Sequence, residues 1–291
     1  MPGPDTVFFL SDYGLADEFV GVVHAVLADR APTARVIDLG HGVAPFDVGA
    51  GAAMLERTVD HLGAGVVLAV VDPGVGGPRR SVALEAARPD GARWFVGPDN
   101  GLLVGAVERR GGVALAVELE RAPTPGTFDG RDVLAPAAAA LCGGRPLRSL
   151  GTVIEAASLI RLPQAAVFEA GHLGHAALVS EVSWVDRFGN VQLAARPDDL
   201  PDAFGAQTVR VVHPTREGAP SRPTPLRRVG AFSELAADEL GLLVDANGHW
   251  SLVVNEGSAA ERLAVGRGSQ LELGWPTNPS PRPRPSKYDP R

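Results

Sequence analysis

The sequence predicts a three-layer α/β domain with a mostly parallel sheet, followed by an all-β, barrel-like domain and an unstructured tail. Three observations carry that expectation. Short β-branched runs alternate with helical-period segments through the first half of the chain. After Leu162–His175 only strand-like runs recur, separated by Gly, Pro and Asn turns. The end, Pro276–Arg291, is rich in Pro and Arg and has no apolar period. The expected limits are 1–164, 165–275 and 276–291.

Val7–Leu10 is a short apolar run ending in Ser11-Asp12-Tyr13-Gly14, a strand and its turn. Asp17–Asp29 places Phe19, Val20, Val23, Val26 and Leu27 at helical spacing. Arg35–Leu39 is strand-like and Ala50–Leu62 helical. Gly65–Val71 has the pattern of a strand buried on both faces. Further strands fit Ser81–Glu85, Arg93–Val96 and Val113–Val117, and further helices Gly101–Arg109 and Asp132–Cys142. The second domain offers strands at Ala176–Val185, Val191–Leu193, Val209–Val212, Leu242–Val244, Ser251–Val254 and Gln270–Leu273.

Composition narrows the function. With 291 residues, 45% hydrophobic and 21% charged, the chain is an ordinary globular one with room for about two domains. A net charge of −7 leaves no basic stripe for a nucleic acid. Lys287 is the only lysine, and with so much Ala, Gly and Pro this reads as compositional bias. Cys142 is the single cysteine, so no disulfide or cysteine metal cluster forms within the chain, and its apolar neighbours suggest an inert thiol. No signal-peptide pattern and no membrane-length apolar run is present, so the expected location is the cytoplasm, without a membrane partner.

Chemistry in such sheets gathers at the carboxyl ends of strands. Ser11-Asp12, Val71-Asp72-Pro73-Gly74 and Pro98-Asp99-Asn100-Gly101 all fall at expected strand ends. The loop Asp72–Arg80 is glycine-rich but lacks Gly-Lys-Ser/Thr and leads into a strand, which argues against a phosphate cradle. It reads equally as a solvated turn or as a closely approached loop with Asp72 and Arg79 in reach of each other. In Thr127–Asp132, Asp132 is the expected N-cap of the following helix, which leaves Asp129 free. Asp186–Asn190 alone reads as a hairpin turn. The seven histidines show no HExxH-like spacing and no Gly-x-Ser-x-Gly elbow exists, so zinc hydrolase and serine hydrolase chemistry are disfavoured and no metal is expected.

Seven segments then come in a specific order: Phe9–Gly14, Pro45–Val48, Val71–Gly76, Pro98–Leu103, Thr127–Asp132, Asp186–Asn190 and Val254–Ala259. Together they resemble the S-adenosyl-L-methionine (SAM) hydroxide adenosyltransferases, relatives of the fluorinase and chlorinase, over most of the chain. The resemblance implies a homotrimer of two-domain subunits, with SAM held between the first domain of one and the second domain of its neighbour. It implies hydrolysis of SAM to adenosine and L-methionine, with SAM as substrate and no cofactor. Carried onto this chain, Asp12 would hold the ribose hydroxyls, and Phe46 and Asn100 lie in matched segments of the substrate site. Asp186, Phe188 and Asn190 would contact the methionine end and the adenine, and Asn255, Glu256, Ser258 and Ala259 the adenine edge. Asn247 lies in Asp245–Gly248, where the family's methionine-holding Asn-Ser-Ser/Arg-Gly is altered. Asp72 and Arg79 match two members of the set that prepares the nucleophile. Where the family's hydrolases carry His, this chain has Asp129.

The resemblance defines the chemistry to expect. The leaving thioether is neutral and needs no general acid, so catalysis reduces to placing water in line with the C5′–S bond. Asp72 or Asp129 would accept its proton, with Arg79 expected to face Asp72 alone. The alternatives are a SAM- or adenosine-binding protein without turnover, transfer to another acceptor, and a halogenase. The halogenase relatives place Tyr where this chain has Asp72, and carboxylates repel a halide.

Overall fold

The computed structural model describes residues 3–88, 90–120, 126–163, 167–172, 175–199, 208–212 and 224–276. Of the tail expected over 276–291, Pro276 instead ends a strand, and residues 277–291 lie outside the described ones. The chain divides into two compact units, Met1–Pro163 and Gln164–Arg291.

In the first unit, β1 (Thr6–Ser11), β2 (Arg35–Gly40), β3 (Gly65–Val70), β4 (Ser81–Ala86), β5 (Ala92–Pro98), β6 (Val113–Leu119) and β7 (Gly151–Ile154) form one sheet, ordered β2-β1-β3-β5-β4-β6-β7. Pairing is parallel from β2 to β5 and antiparallel from β5 to β7. The expected mostly parallel sheet thus changes sense at β4. The reason is chain length: the short link between β4 and β5 cannot hold a crossover helix, so the strands pair as a hairpin. Four helices cover the sheet: α1 (Phe19–Arg30), α2 (Val48–Thr58), α3 (Val104–Arg109) and α4 (Ala135–Cys142).

Alternation along the strands builds the layers. Val7, Phe9, Val66, Leu68 and Val70 face a core shared with Val20, Val23 and Leu27 of α1 and the alanines of α4. Leu10 and Val71 point the other way, towards α2, where Gly51 leaves no room for a Cβ against Leu102 and Val71. Every residue of β3 is buried, as its uninterrupted apolar run predicts.

The second unit holds β8 (Val167–His172), β9 (His175–Val185), β10 (Val191–Leu193), β11 (Thr208–Val212), β12 (Thr224–Arg228), β13 (Leu240–Val244), β14 (Trp250–Val254) and β15 (Gln270–Pro276). Their order is β10-β14-β13-β12-β11-β15-β9-β8, and β9 also pairs with β10, which curls the sheet back on itself. Among the described pairings of this sheet, only β12–β13 is parallel. Leu240, Leu242, Trp250, Leu252 and Val254 point into one core at period two. Among the described residues of this unit, one α-helix, α5 (Ala259–Leu263), interrupts the expected all-strand pattern. Its single turn and a half is too short to show a helical period.

Candidate active site

The strand order reverses direction between β1 and β3, whose parallel carboxyl ends lie side by side, with Asp12 N donating to Val70 O at 3.2 Å. This is the switch point where a crevice opens in an α/β sheet. Asp12 follows β1, Asp72 follows β3, and Asp99 and Asn100 follow β5. Because β4 runs antiparallel to β5, the loop from Asp72 to Arg80 both leaves and re-enters the sheet at this same end. Topology alone therefore collects these side chains.

Arg79 is the hub. Its Nε donates to Asp72 Oδ1 at 2.7 Å, its Nη2 to Asp72 Oδ2, and its Nη1 to Ser81 Oγ at 2.7 Å. Nη2 also donates to Asp129 Oδ2 at 2.6 Å. The expectation that Arg79 faces Asp72 alone is therefore corrected: one guanidinium joins both carboxylates. The side chains of Arg79, Asp72 and Asp129 are only 10%, 6% and 3% exposed. Burial works against the Arg79 charge, but the hydrogen bonds and charge of Asp72, then those of Asp129, outweigh it and hold the guanidinium more basic than usual. Breaking such a buried network by removing one partner typically costs about 3–5 kcal/mol.

The helix start differs from its sequence reading. A π-helical turn over Gly130–Leu134 precedes α4, so Asp132 lies inside the helical segment and is no N-cap. It pairs at the surface with Arg131, Nε to Oδ1 at 2.6 Å. Asp129 holds the N-cap position, makes no capping hydrogen bond, and turns to Arg79.

Tyr13 is a member the sequence reading left out. Its hydroxyl lies over Gly130, where a Cβ would meet Oη at 2.3 Å, and its ring packs edge-on to Phe128 with centroids 5.7 Å apart. Burial first, then the charges of Asp12, Asp72 and Asp129, push its phenol well above the ordinary value, with Arg79 opposing. Its adjacency to Asp12 was the available signal. Cys142 stays outside this chemistry, its thiol pushed up to about 11 by burial and the charge of Asp5.

Asp12 Oδ2 accepts from Phe46 N at 2.9 Å, and Phe46 has a positive φ of 68° and is 70% exposed. An aromatic held outward on strained backbone is unusual unless something packs on it. Asn100 Nδ2 donates to Val71 O at 2.9 Å and its Oδ1 accepts from Leu102 N at 3.2 Å. It ties the β5 exit to the end of β3.

The remaining candidates belong to the second unit. Asp186 Oδ1 accepts from Phe188 N and Asn190 N, both at 2.9 Å, and Asn190 Nδ2 donates to Asp186 Oδ2 at 2.8 Å. This turn touches the start of α5, where Ala260 N donates to Gly189 O at 2.9 Å and Ser258 caps the helix through Glu261 N at 3.0 Å. Phe188 is 71% exposed. Asn255 Nδ2 reaches Leu235 O at 2.8 Å, and Glu256 has a φ of 58°. Ala259 is fully buried in the core, so its methyl is not available to a ligand. Asn247 is separated from this group: it sits in the β13–β14 turn, at the opposite end of β14 from Asn255. There Asp245 accepts from Gln192, His249, Ser251 and Asn247. Burial opposes its charge, but these hydrogen bonds hold its carboxyl below the usual range.

This geometry can be set beside known proteins. The chain matches the SAM hydroxide adenosyltransferase N-terminal domain over residues 7–151 and the C-terminal domain over residues 180–272. It is 43% identical over 272 residues to the (R)-S-adenosyl-L-methionine hydrolase of Salinispora tropica, covering 92% of this chain and 97% of that one. It is 45% identical over 275 residues to the enzyme of the same name from Salinispora arenicola, at the same coverages. A crystal structure of an uncharacterized conserved protein from Thermotoga maritima superposes with a TM-score of 0.78 at 32% identity, covering 92% of this chain and 99% of that chain. With both domain models matched in order and relatives of this identity along nearly the whole length, the chain belongs to the SAM hydroxide adenosyltransferase family.

Proposed function

We propose that this protein hydrolyses SAM to adenosine and L-methionine. The observation that carries the reading is the buried Asp72–Arg79–Asp129 cluster at the switch point of a chain of this family. Water attacks C5′, the C5′–S bond breaks with its electron pair passing to sulfur, and the water proton goes to a carboxylate. Sulfur leaves as a neutral thioether, so no acid is required. Two carboxylates on one guanidinium leave the cluster net negative, which favours a cationic sulfonium and disfavours a halide.

In this reading Asp72 and Asp129 hold the water, Arg79 sets their spacing, and Tyr13, a neutral hydroxyl beside them, helps to orient it. Asp129 takes the place of the family histidine. Asp12 and Phe46 bind the ribose side, while Phe188, Asn190, Asn255, Glu256 and Ser258 form the other part of the substrate site. Asn247, at the far end of β14, marks a separate contact, in keeping with an elongated substrate that reaches along a strand of five residues, ~17 Å. Because the two sets of candidates belong to two units, the site is proposed to be completed between subunits of a homotrimer. SAM is the substrate, and no cofactor takes part. The proposed location is the cytoplasm, which the single cysteine suits. No helix among the described residues is long and apolar enough to cross a membrane.

Incubation of the protein with SAM and chromatography of the mixture tests the activity. Adenosine and methionine should appear in equal amounts. SAM left intact after long incubation would instead point to a binding protein without turnover.

A further inference from the structure

Apart from the Asp72–Arg79–Asp129 cluster, the first unit gathers two imidazoles and a carboxylate on its α1–β2 flank. His24 stands in α1, Asp38 in β2, and His41 just beyond the end of β2. His24 Nε2 lies 2.9 Å and His41 Nε2 3.1 Å from the same oxygen, Asp38 Oδ1. One donor atom from each residue falls within 4.8 Å of the other two.

His24 Nε2 and Asp38 Oδ1 form a hydrogen bond, whereas the geometry at His41 is poorer. His41 is only 5% exposed, and its Nε2 makes no hydrogen bond among the described residues, despite its approach to Asp38. The other ring nitrogen, Nδ1, is 2.7 Å from Ser11 Oγ, and Ser11 is fully buried. A buried histidine anchored through one nitrogen, with the other held 3.1 Å from a carboxylate outside hydrogen-bond geometry, has the arrangement of a metal ligand with its supporting hydrogen bond. Phe9 sets the ring positions from beneath, its centroid 6.0 Å from the His24 ring and 4.6 Å from the His41 ring.

We propose that His24, Asp38 and His41 bind a divalent first-row transition-metal ion of the zinc type. Two imidazole nitrogens and one carboxylate oxygen suit such an ion, whereas calcium and magnesium prefer oxygen alone. Bonds of about 2.0–2.2 Å to each ligand place neighbouring donors ~3.4 Å apart at a tetrahedral centre. The observed separations from Asp38 Oδ1, 2.9 and 3.1 Å, fall a few tenths of an ångström (about 0.3–0.5 Å) short of that spacing, so closure needs only side-chain adjustment. The His24 and Asp38 side chains are 36% and 41% exposed, which opens the site to solvent and leaves room for water as a further ligand. The role is positional. His41 O also accepts from Gly14 N at 2.8 Å, so a metal on His41 braces both ends of the Ser11–Gly14 turn that carries Asp12 and Tyr13. The proposal does not depend on the reaction assigned to the protein.

The test is calorimetric titration of the chelator-treated, dialysed full chain with Zn²⁺, with thermal unfolding followed in parallel. Wild type should take up one Zn²⁺ per chain saturably and unfold at higher temperature with the ion present. Co²⁺ in its place should give a visible d–d absorption band. His24→Gln and Asp38→Asn, partly exposed positions chosen to spare the fold, should each weaken Zn²⁺ binding at least tenfold and abolish the thermal shift. His61→Gln, an exposed histidine outside the cluster, should behave as wild type. Absence of saturable uptake by wild type overturns the proposal, and so does undiminished uptake in both cluster variants.

Discussion

At the residue scale, the proposed chemistry concentrates on one guanidinium shared by two carboxylates. Arg79 presents Nε, Nη1 and Nη2 to Asp72, Ser81 and Asp129, a fork that a lysine point charge cannot reproduce. Arg79→Lys should therefore lower kcat about tenfold or more while leaving a folded protein. Because both acids meet Arg79, Asp72→Asn and Asp129→Asn should each reduce kcat, the proton acceptor by ~10²–10⁴-fold. The double variant should lose far less than the product of the two, since the acids act as a unit. Steady-state kinetics with SAM decides, and wild-type kcat in Asp129→Asn would make Asp129 a bystander. Tyr13 supplies a pH test. Its folded-state pKa is raised, so the unfolded chain loses this proton first as pH climbs. The contribution of Tyr13 is fully present below pH ~10 and declines above it by about 1.4 kcal/mol per pH unit, until the folded-state value is reached. Chemical unfolding between pH 9 and 11.5 should show this decline in wild type and a shallower one in Tyr13→Phe.

At the element scale, one glycine marks a close approach between the Asp186–Asn190 turn and the start of α5. Gly189 has a φ of 80°, and an added Cβ would lie 2.0 Å from Ser258 Oγ, the cap of α5. Gly189→Ala should cost about 1–3 kcal/mol from the backbone conformation alone, with the steric conflict added to it. Ser258→Ala should cost ~1 kcal/mol through loss of the cap. Equilibrium denaturation distinguishes the two, and equal losses would mean that the turn and helix do not press on each other. The Asp186–Asn190 turn was legible as a hairpin from its own residues, because an aspartate that accepts from the backbone N–H groups two and four residues on is a local device. The π turn before α4 was not legible. Placing Asp129 at the N-cap depends on Phe128 and Tyr13 packing, and no helical period records it.

At the scale of the whole molecule, the proposed trimer carries the prediction. Light scattering and sedimentation should give three chains per particle, and full-affinity SAM binding by a monomer would remove the shared-site reading. Mixing Asp72→Asn subunits with Asn190→Ala subunits should restore part of the activity, because some sites then draw an intact half from each.

The sequence by itself determined the alternation of elements, the two-unit plan and the family motifs from which the substrate site is proposed. Those features are written in local periods and in motifs at strand ends. Only the tertiary structure decided which side chains face each other. Arg79 and Asp129 stand 50 residues apart, and His24 and Asp38 14 apart, so no spacing rule joins either pair. Parallel pairing sets the carboxyl ends of β1 and β3 side by side and folds α1 against β2. The contacts that follow belong to the packing of the layers and not to any one segment of chain.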